Sequence, residues 1–147
     1  MRINPFLFLS LICLSVASAD SICGNGTSVK WAEITYMNWD AETFLPMACE
    51  GLEFPANNPI VGRLVVLQGR AFFEALVAAI KGLEWLDSSE SPDTRIRLSV
   101  VYAPNDAKDV VCIGRDSVMT INGKNVRYSG DLERLARSAI PMSHGGQ

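Results

Sequence analysis

A chain of 147 residues with 48% hydrophobic and 20% charged side chains is long enough for one domain with a sizeable core and too short for two comfortable ones. Its formal net charge of −3 gives no long-range attraction to nucleic acid or anionic lipid, so neither is an expected partner. With one histidine and four cysteines, the residue types that most often carry nucleophilic catalysis or bind zinc are scarce.

Residues 1–19 read as a secretory signal peptide. Arg2 supplies a positive start, residues 6–16 are almost unbroken apolar sequence, and Ala17-Ser18-Ala19 puts small residues at the −3 and −1 positions before Asp20. The apolar run is far shorter than the ~20 residues of a membrane-spanning helix, so cleavage after Ala19 is expected rather than anchoring. Ile12 is too bulky to precede a lipidated Cys13. In the most hydrophobic stretch beyond, Arg70, Glu74, Lys81 and Glu84 rule out a second span, and no membrane insertion is expected after cleavage. The expected location is secreted or periplasmic.

Residues 20–28 form a polar arm without room for a core element. Within it Asn25-Gly26-Thr27 is a glycosylation sequon, meaningful only in a eukaryotic source. Residues 29–39, rich in aromatic and β-branched side chains, predict a strand that sets Ile34 and Tyr36 opposite Glu33 and Thr35. Residues 40–49 predict a short helix capped by Asp40 and ended by Pro46. Pro55, Asn57, Asn58 and Pro59 mark residues 51–59 as a loop.

An apolar run over residues 60–67 predicts the next strand, broken by Gly69. The period then changes. Phe73, Leu76, Val77, Ile80 and Leu83 recur every three or four residues, which predicts an amphipathic helix over 70–86. Gly82 costs about 1 kcal/mol relative to alanine there and loosens the last turn. Beyond the polar stretch 88–93, Ile96, Leu98, Val100 and Tyr102 alternate with Arg95, Arg97 and Ser99, a strand with one buried and one wet face. Pro104-Asn105-Asp106 turns the chain into a return strand over 110–113. Strands at 118–121 and 125–128 flank Asn122-Gly123, the signal for a tight type I′ hairpin. Leu132, Leu135, Ala136 and Ala139 stripe a last helix over 132–140, stopped by Pro141, and residues 142–147 read as a disordered tail. The order predicts an α+β fold over 29–141: one small domain, a largely antiparallel sheet with a long central helix and a short C-terminal helix packed on one face.

After cleavage Cys23, Cys49 and Cys112 remain, enough for one disulfide and one leftover thiol. Cys112 lies in an apolar run and reads as a buried free thiol. A Cys23–Cys49 bridge is therefore preferred; it would pin the arm and stabilise by roughly 2–4 kcal/mol. Cys49–Cys112 is the rival pairing, and a free Cys23 could join another chain.

The lone His144 lies between Ser143 and Gly145 in the tail and is a poor base for a triad. No C-x-x-C, H-E-x-x-H, P-loop, G-x-S-x-G or S-x-x-K motif occurs. The cysteines lack the paired spacing of a zinc site, so no metal and no cofactor are expected. Two routes to function remain. Glu33 and Glu42, with Asp40 and Glu50 near Trp31 and Trp39, are the candidate carboxylates of a small glycan-directed hydrolase, although any solvated strand face contains such residues. Arg95, Arg97 and Arg127 would form a cationic patch on the exposed sheet face, suited to an acidic protein or an anionic ligand, though charge is expected on any wet face. Trp31, Trp39 and Trp85 read as core or core-edge residues. With no recognisable nucleophile, contact explains the chain better than turnover. The expected function is a small exported binding or interaction module, whether envelope accessory, inhibitor or immunity-type protein; the alternative is the carboxylate hydrolase.

Overall fold

The alternation and helical stripes of the sequence are realised as a six-stranded antiparallel sheet and two helices. The computed structural model describes residues 28–52, 61–66 and 69–141. Residues 1–19, expected to be a signal peptide, Cys23, the sequon at Asn25, most of the expected loop over 51–59 and the tail with His144 lie outside these residues. In chain order the elements are β1 (Val29–Met37), a 3-10 turn (Cys49–Leu52), β2 (Val61–Val66), α1 (Arg70–Lys81), β3 (Thr94–Tyr102), β4 (Lys108–Gly114), β5 (Met119–Ile121), β6 (Lys124–Val126) and α2 (Gly130–Ala139).

The strand order is β2-β1-β3-β4-β5-β6. Because β2 and β3 both run antiparallel to β1, they are parallel to each other, and the chain must cross over β1 to link them. α1 makes that crossing. β3 to β6 then form a meander whose last turn carries Asn122 and Gly123 at φ 49° and 79°. These are the paired positive values a type I′ turn requires, which is why a flexible Asn-Gly pair occupies the site. Both helices lie on one face. Leu76, Ile80 and Leu83 from the α1 side and Leu132 and Ala136 of α2 close over Ala32, Ile34, Ile96, Leu98, Val100, Val111, Ile113, Met119 and Ile121. Ser129 caps α2 by accepting from the Leu132 N–H at 3.2 Å.

Two helical expectations are corrected. α1 ends at Lys81 with Gly82 as its C-cap instead of running to Leu86. Residues 84–86 run alongside β6 instead: Trp85 bridges to Val126, the Leu86 N–H donates to the Asn125 carbonyl at 3.0 Å, and the Arg127 N–H donates to the Glu84 carbonyl at 2.7 Å. No helix forms over 40–49. The chain turns at Asn38, whose side chain accepts from the Asp40 N–H at 3.0 Å, and Pro46 offers no N–H to a helix. The polar groups of the next residue are already used by the sheet: the Met47 N–H donates to Asp93 Oδ1 at 2.8 Å, and its carbonyl accepts from the Thr94 N–H at 2.7 Å.

That clasp folds residues 38–52 back over the second face of the sheet, which buries a face expected to be wet. Every residue of β3 is buried. The disulfide is also corrected: Cys49 joins Cys112, with Cα atoms 5.8 Å apart, so Cys49 is not available to Cys23. Cys112 pairs in register with Arg97 and Thr120, and its side chain therefore turns to the second face, where Cys49 arrives with the returning segment. Its apolar neighbours in sequence, Val111 and Ile113, turn to the helix side. An apolar run thus concealed a residue of the polar face.

Asp93 holds this arrangement together. Its Oδ2 accepts from Arg95 at 2.9 Å and Arg115 at 2.6 Å, while Oδ1 takes the Met47 N–H. Arg95 is fully buried, and it also donates to Met37 Sδ at 3.2 Å. Gly114 sits so close that an added Cβ would meet an Asp116 carboxylate oxygen and lie 2.9 Å from Pro92 Cβ and 3.1 Å from the Asp93 nitrogen, which leaves no room for a side chain at that position. Burial alone would raise the Asp93 carboxyl, but the Met47 N–H and the Arg95 and Arg115 charges outweigh it and hold the group below its ordinary value.

Replacing Asp93 by alanine leaves a buried guanidinium without its counter-ion and is expected to cost about 3–5 kcal/mol in urea unfolding at pH 7. The pH dependence has a fixed sign. Since the folded value lies below the unfolded one, the contribution is complete at neutral pH, starts to fade near the ordinary aspartate value of about 4, and is lost as pH falls through the folded value. Stability measured from pH 7 down to pH 2 should therefore fall less steeply in Asp93→Asn than in the wild type.

Candidate functional site

The residues singled out from sequence do not converge. Arg95 is locked to Asp93 beneath residues 38–52, and Arg97 is only 6% exposed, with one nitrogen donating to Ser99 Oγ at 3.1 Å. Arg127 follows β6, and β4 and β5 stand between that strand and β3. It is exposed and paired with Glu84 at 3.0 Å. The expected cationic patch on an exposed face is therefore absent: two of its members are covered, and the third is several strands away. Glu33 forms an ion pair with Arg63 of the neighbouring strand β2, and Glu42 stands exposed on the segment after β1. Among the tryptophans, Trp31 and Trp39 are half-buried, and Trp39 lies under the Arg137 guanidinium of α2 at 3.6 Å. Trp85 is 45% exposed and lies at the edge instead of in the core, because α1 ends before it and the chain there runs along the sheet edge.

A cleft of about 1030 Å3 opens on the second face between residues 85–92 and the β4 to β6 ladder. Arg97 and Trp85 line it, together with Glu50, Glu90, Asn122 and Asn125. Both asparagines are engaged: Asn122 accepts from the Val110 N–H at 2.8 Å and donates to Asp109 at 2.9 Å, and Asn125 donates to the Glu90 carbonyl at 2.8 Å. Neither Glu33 nor Glu42 lines this cleft, so the structure does not bring the two candidate carboxylates to it. Among the described residues no cluster of His, Cys, Asp or Glu could hold a metal ion.

A different feature stands out on the same segment that covers the sheet. Phe44 is fully exposed and its neighbour Leu45 is 75% exposed, the two largest exposures among the described large hydrophobic side chains. The backbone bends at both residues. On one side the chain is fixed by the Asn38 turn, where the Ala41 N–H also donates to the Asn38 carbonyl at 3.1 Å. On the other it is fixed by the Met47 clasp and, two residues later, by Cys49. The polar Thr43 turns inward, its hydroxyl buried and without a hydrogen-bond partner among the described residues, while the apolar pair turns out. This inverts the usual arrangement. Burying a Phe or Leu side chain is worth roughly 1.5–3 kcal/mol each, and that gain is realised only if another surface covers them. The sequence signal for this is the adjacent Phe44-Leu45 before Pro46, which lies within the stretch 40–49 expected to be helical.

Breaking the tether has a measurable consequence. In the Cys49→Ser, Cys112→Ser double variant, the chain-entropy cost of closing so long a loop is no longer prepaid, and stability should fall by about 4 kcal/mol. Amide exchange should accelerate at Met47 and Thr94 well before it does at Leu98 in the core. Compared with protein-family models, with curated proteins and with solved structures, the chain matches none.

Proposed function

We propose that this chain is a small exported interaction protein that engages a partner through the loop carrying Phe44 and Leu45. One observation carries the reading: two adjacent large apolar side chains are held in solvent on a segment fixed to the sheet on both sides. A loop ordered before binding loses little conformational freedom when it docks, so more of its contact energy appears as affinity. Large apolar anchors of this kind, seated in a partner's pocket, are what dominate binding energy at interfaces. Export is supported by the signal-like residues 1–19 and by the Cys49–Cys112 bridge, a bond favoured in oxidising compartments. No helix among the described residues is long and apolar enough to cross a membrane.

This reading puts the contact on the loop and not on the three arginines. Arg95 cannot meet a partner without release of its cover, and exposed Arg127 spends its charge on Glu84. The hydrolase alternative has less support, because Glu33 is held by Arg63 and neither it nor Glu42 reaches the cleft.

Capture of a partner from envelope and secreted fractions of the source organism is expected for the wild type and should be lost, by at least a hundredfold in affinity, in Phe44→Asp and Leu45→Asp. Both positions are exposed, so unfolding free energies should stay within about 0.5 kcal/mol of wild type. Unchanged capture by both variants overturns the reading. Glycan cleavage abolished by Glu33→Gln or Glu42→Gln would put the hydrolase in its place.

A further inference from the structure

Resting on that reading, we infer that the partner is an endopeptidase with an apolar specificity pocket, and that residues 42–47 lie in its substrate cleft as a slowly cleaved substrate mimic with Phe44 in the pocket. The shape comes first. Phe44 and Leu45 sit at a bend, with the polar flank Thr43 turned in, so the feature is convex and requires a concave, apolar acceptor. The large cleft of a second copy mixes Trp85, Leu86, Pro92 and Val110 with serines, asparagines and charged side chains, and so is not a dedicated apolar acceptor. A lipid surface is also disfavoured, because Glu42 and Glu50 flank the pair and the net charge is −3.

An endopeptidase cleft accepts a protruding, non-helical chain segment, which is the form residues 42–47 take. What separates an inhibitor from a substrate is the fate of the cut bond. Attack by the enzyme's nucleophile on the Phe44 carbonyl would form an acyl bond to Phe44 and break the Phe44–Leu45 C–N bond, the departing Leu45 amine taking a proton from the enzyme's general acid. In an ordinary substrate that amine diffuses away and water completes the reaction. Here Leu45 is two residues from Met47, whose N–H and carbonyl are bound to Asp93 and Thr94, and four from the Cys49–Cys112 bridge. Pro46 lies between, with its φ fixed by the ring. The amine therefore stays beside the acyl carbonyl at a high effective concentration, and resynthesis of the peptide bond outruns hydrolysis. The arrangement turns the tether of the second face into the inhibitory element.

The test uses the disulfide-intact protein against a chymotrypsin-type and a trypsin-type serine endopeptidase, each assayed on a small chromogenic peptide. The expected result is competitive inhibition of the chymotrypsin-type enzyme at submicromolar concentration with no effect on the trypsin-type enzyme. Phe44→Gly should weaken it by a hundredfold or more, and Phe44→Lys should transfer inhibition to the trypsin-type enzyme. The Cys49→Ser, Cys112→Ser variant should be cut after Phe44 and lose inhibition with time. Rapid cleavage of the intact wild type, or no inhibition of the chymotrypsin-type enzyme, overturns the inference. If Phe44→Asp still abolishes capture of the native partner in that case, the loop remains the contact surface and only the peptidase assignment falls; if capture also survives Phe44→Asp, both fall.

Discussion

The carboxylate of Asp93 is the point on which the second face of this protein depends. It neutralises Arg95, which is buried without a trace of exposure, and it accepts the backbone of Met47, which brings residues 38–52 down onto the sheet. A buried guanidinium costs several kcal/mol to desolvate and repays this only when its partners are in place. Arg95 has a carboxylate and a thioether contact, yet its Nε finds no partner among the described residues. The network is thus incompletely satisfied, and removing any part of it uncovers charge in a place that water does not reach. Buried polar networks of this kind contribute uniqueness of arrangement at least as much as stability, and here they fix where the covering loop lies.

The covering loop and the disulfide act on the same segment by different physics. The clasp at Met47 consists of two hydrogen bonds made in the folded state, its N–H donating to the Asp93 carboxylate at 2.8 Å and its carbonyl accepting from the Thr94 N–H at 2.7 Å. The Cys49–Cys112 bridge acts mostly by restricting the unfolded chain. Together they allow a stretch with no regular secondary structure to hold Phe44 and Leu45 in solvent. A loop of this composition without them would collapse its apolar pair onto the nearest surface.

Much of the fold was legible because it rests on period and punctuation. The alternation of Ile96, Leu98, Val100 and Tyr102, the stripe of Leu76 and Ile80, and Asn122-Gly123 each leave a local signature, and each forms the element it predicts. The second face was not legible. Arg95, Arg97 and Ser99 alternate as residues of a wet face do, and nothing local distinguishes an arginine facing water from one facing Asp93 under a returning loop. Cys112 misled for the same reason: its neighbours are apolar, but strand geometry turns it the other way. For the loop, Asp40 as a possible cap and the mixed sequence to Cys49 suggested a helix, while the decisive partners, Asp93 and Thr94, lie about fifty positions away in sequence, beyond the reach of any local pattern. The candidate site was therefore hidden where long-range contacts override local preference.

The early end of α1 releases residues 84–86 to serve as a short rail along β6, with Trp85 opposite Val126 and backbone bonds on either side. β6 is the last strand of the sheet. An outer edge left bare there would present unpaired backbone groups, the kind of template that recruits other chains. The rail occupies part of that edge, so the residues released where the helix stops at Gly82 also guard the sheet against strand addition.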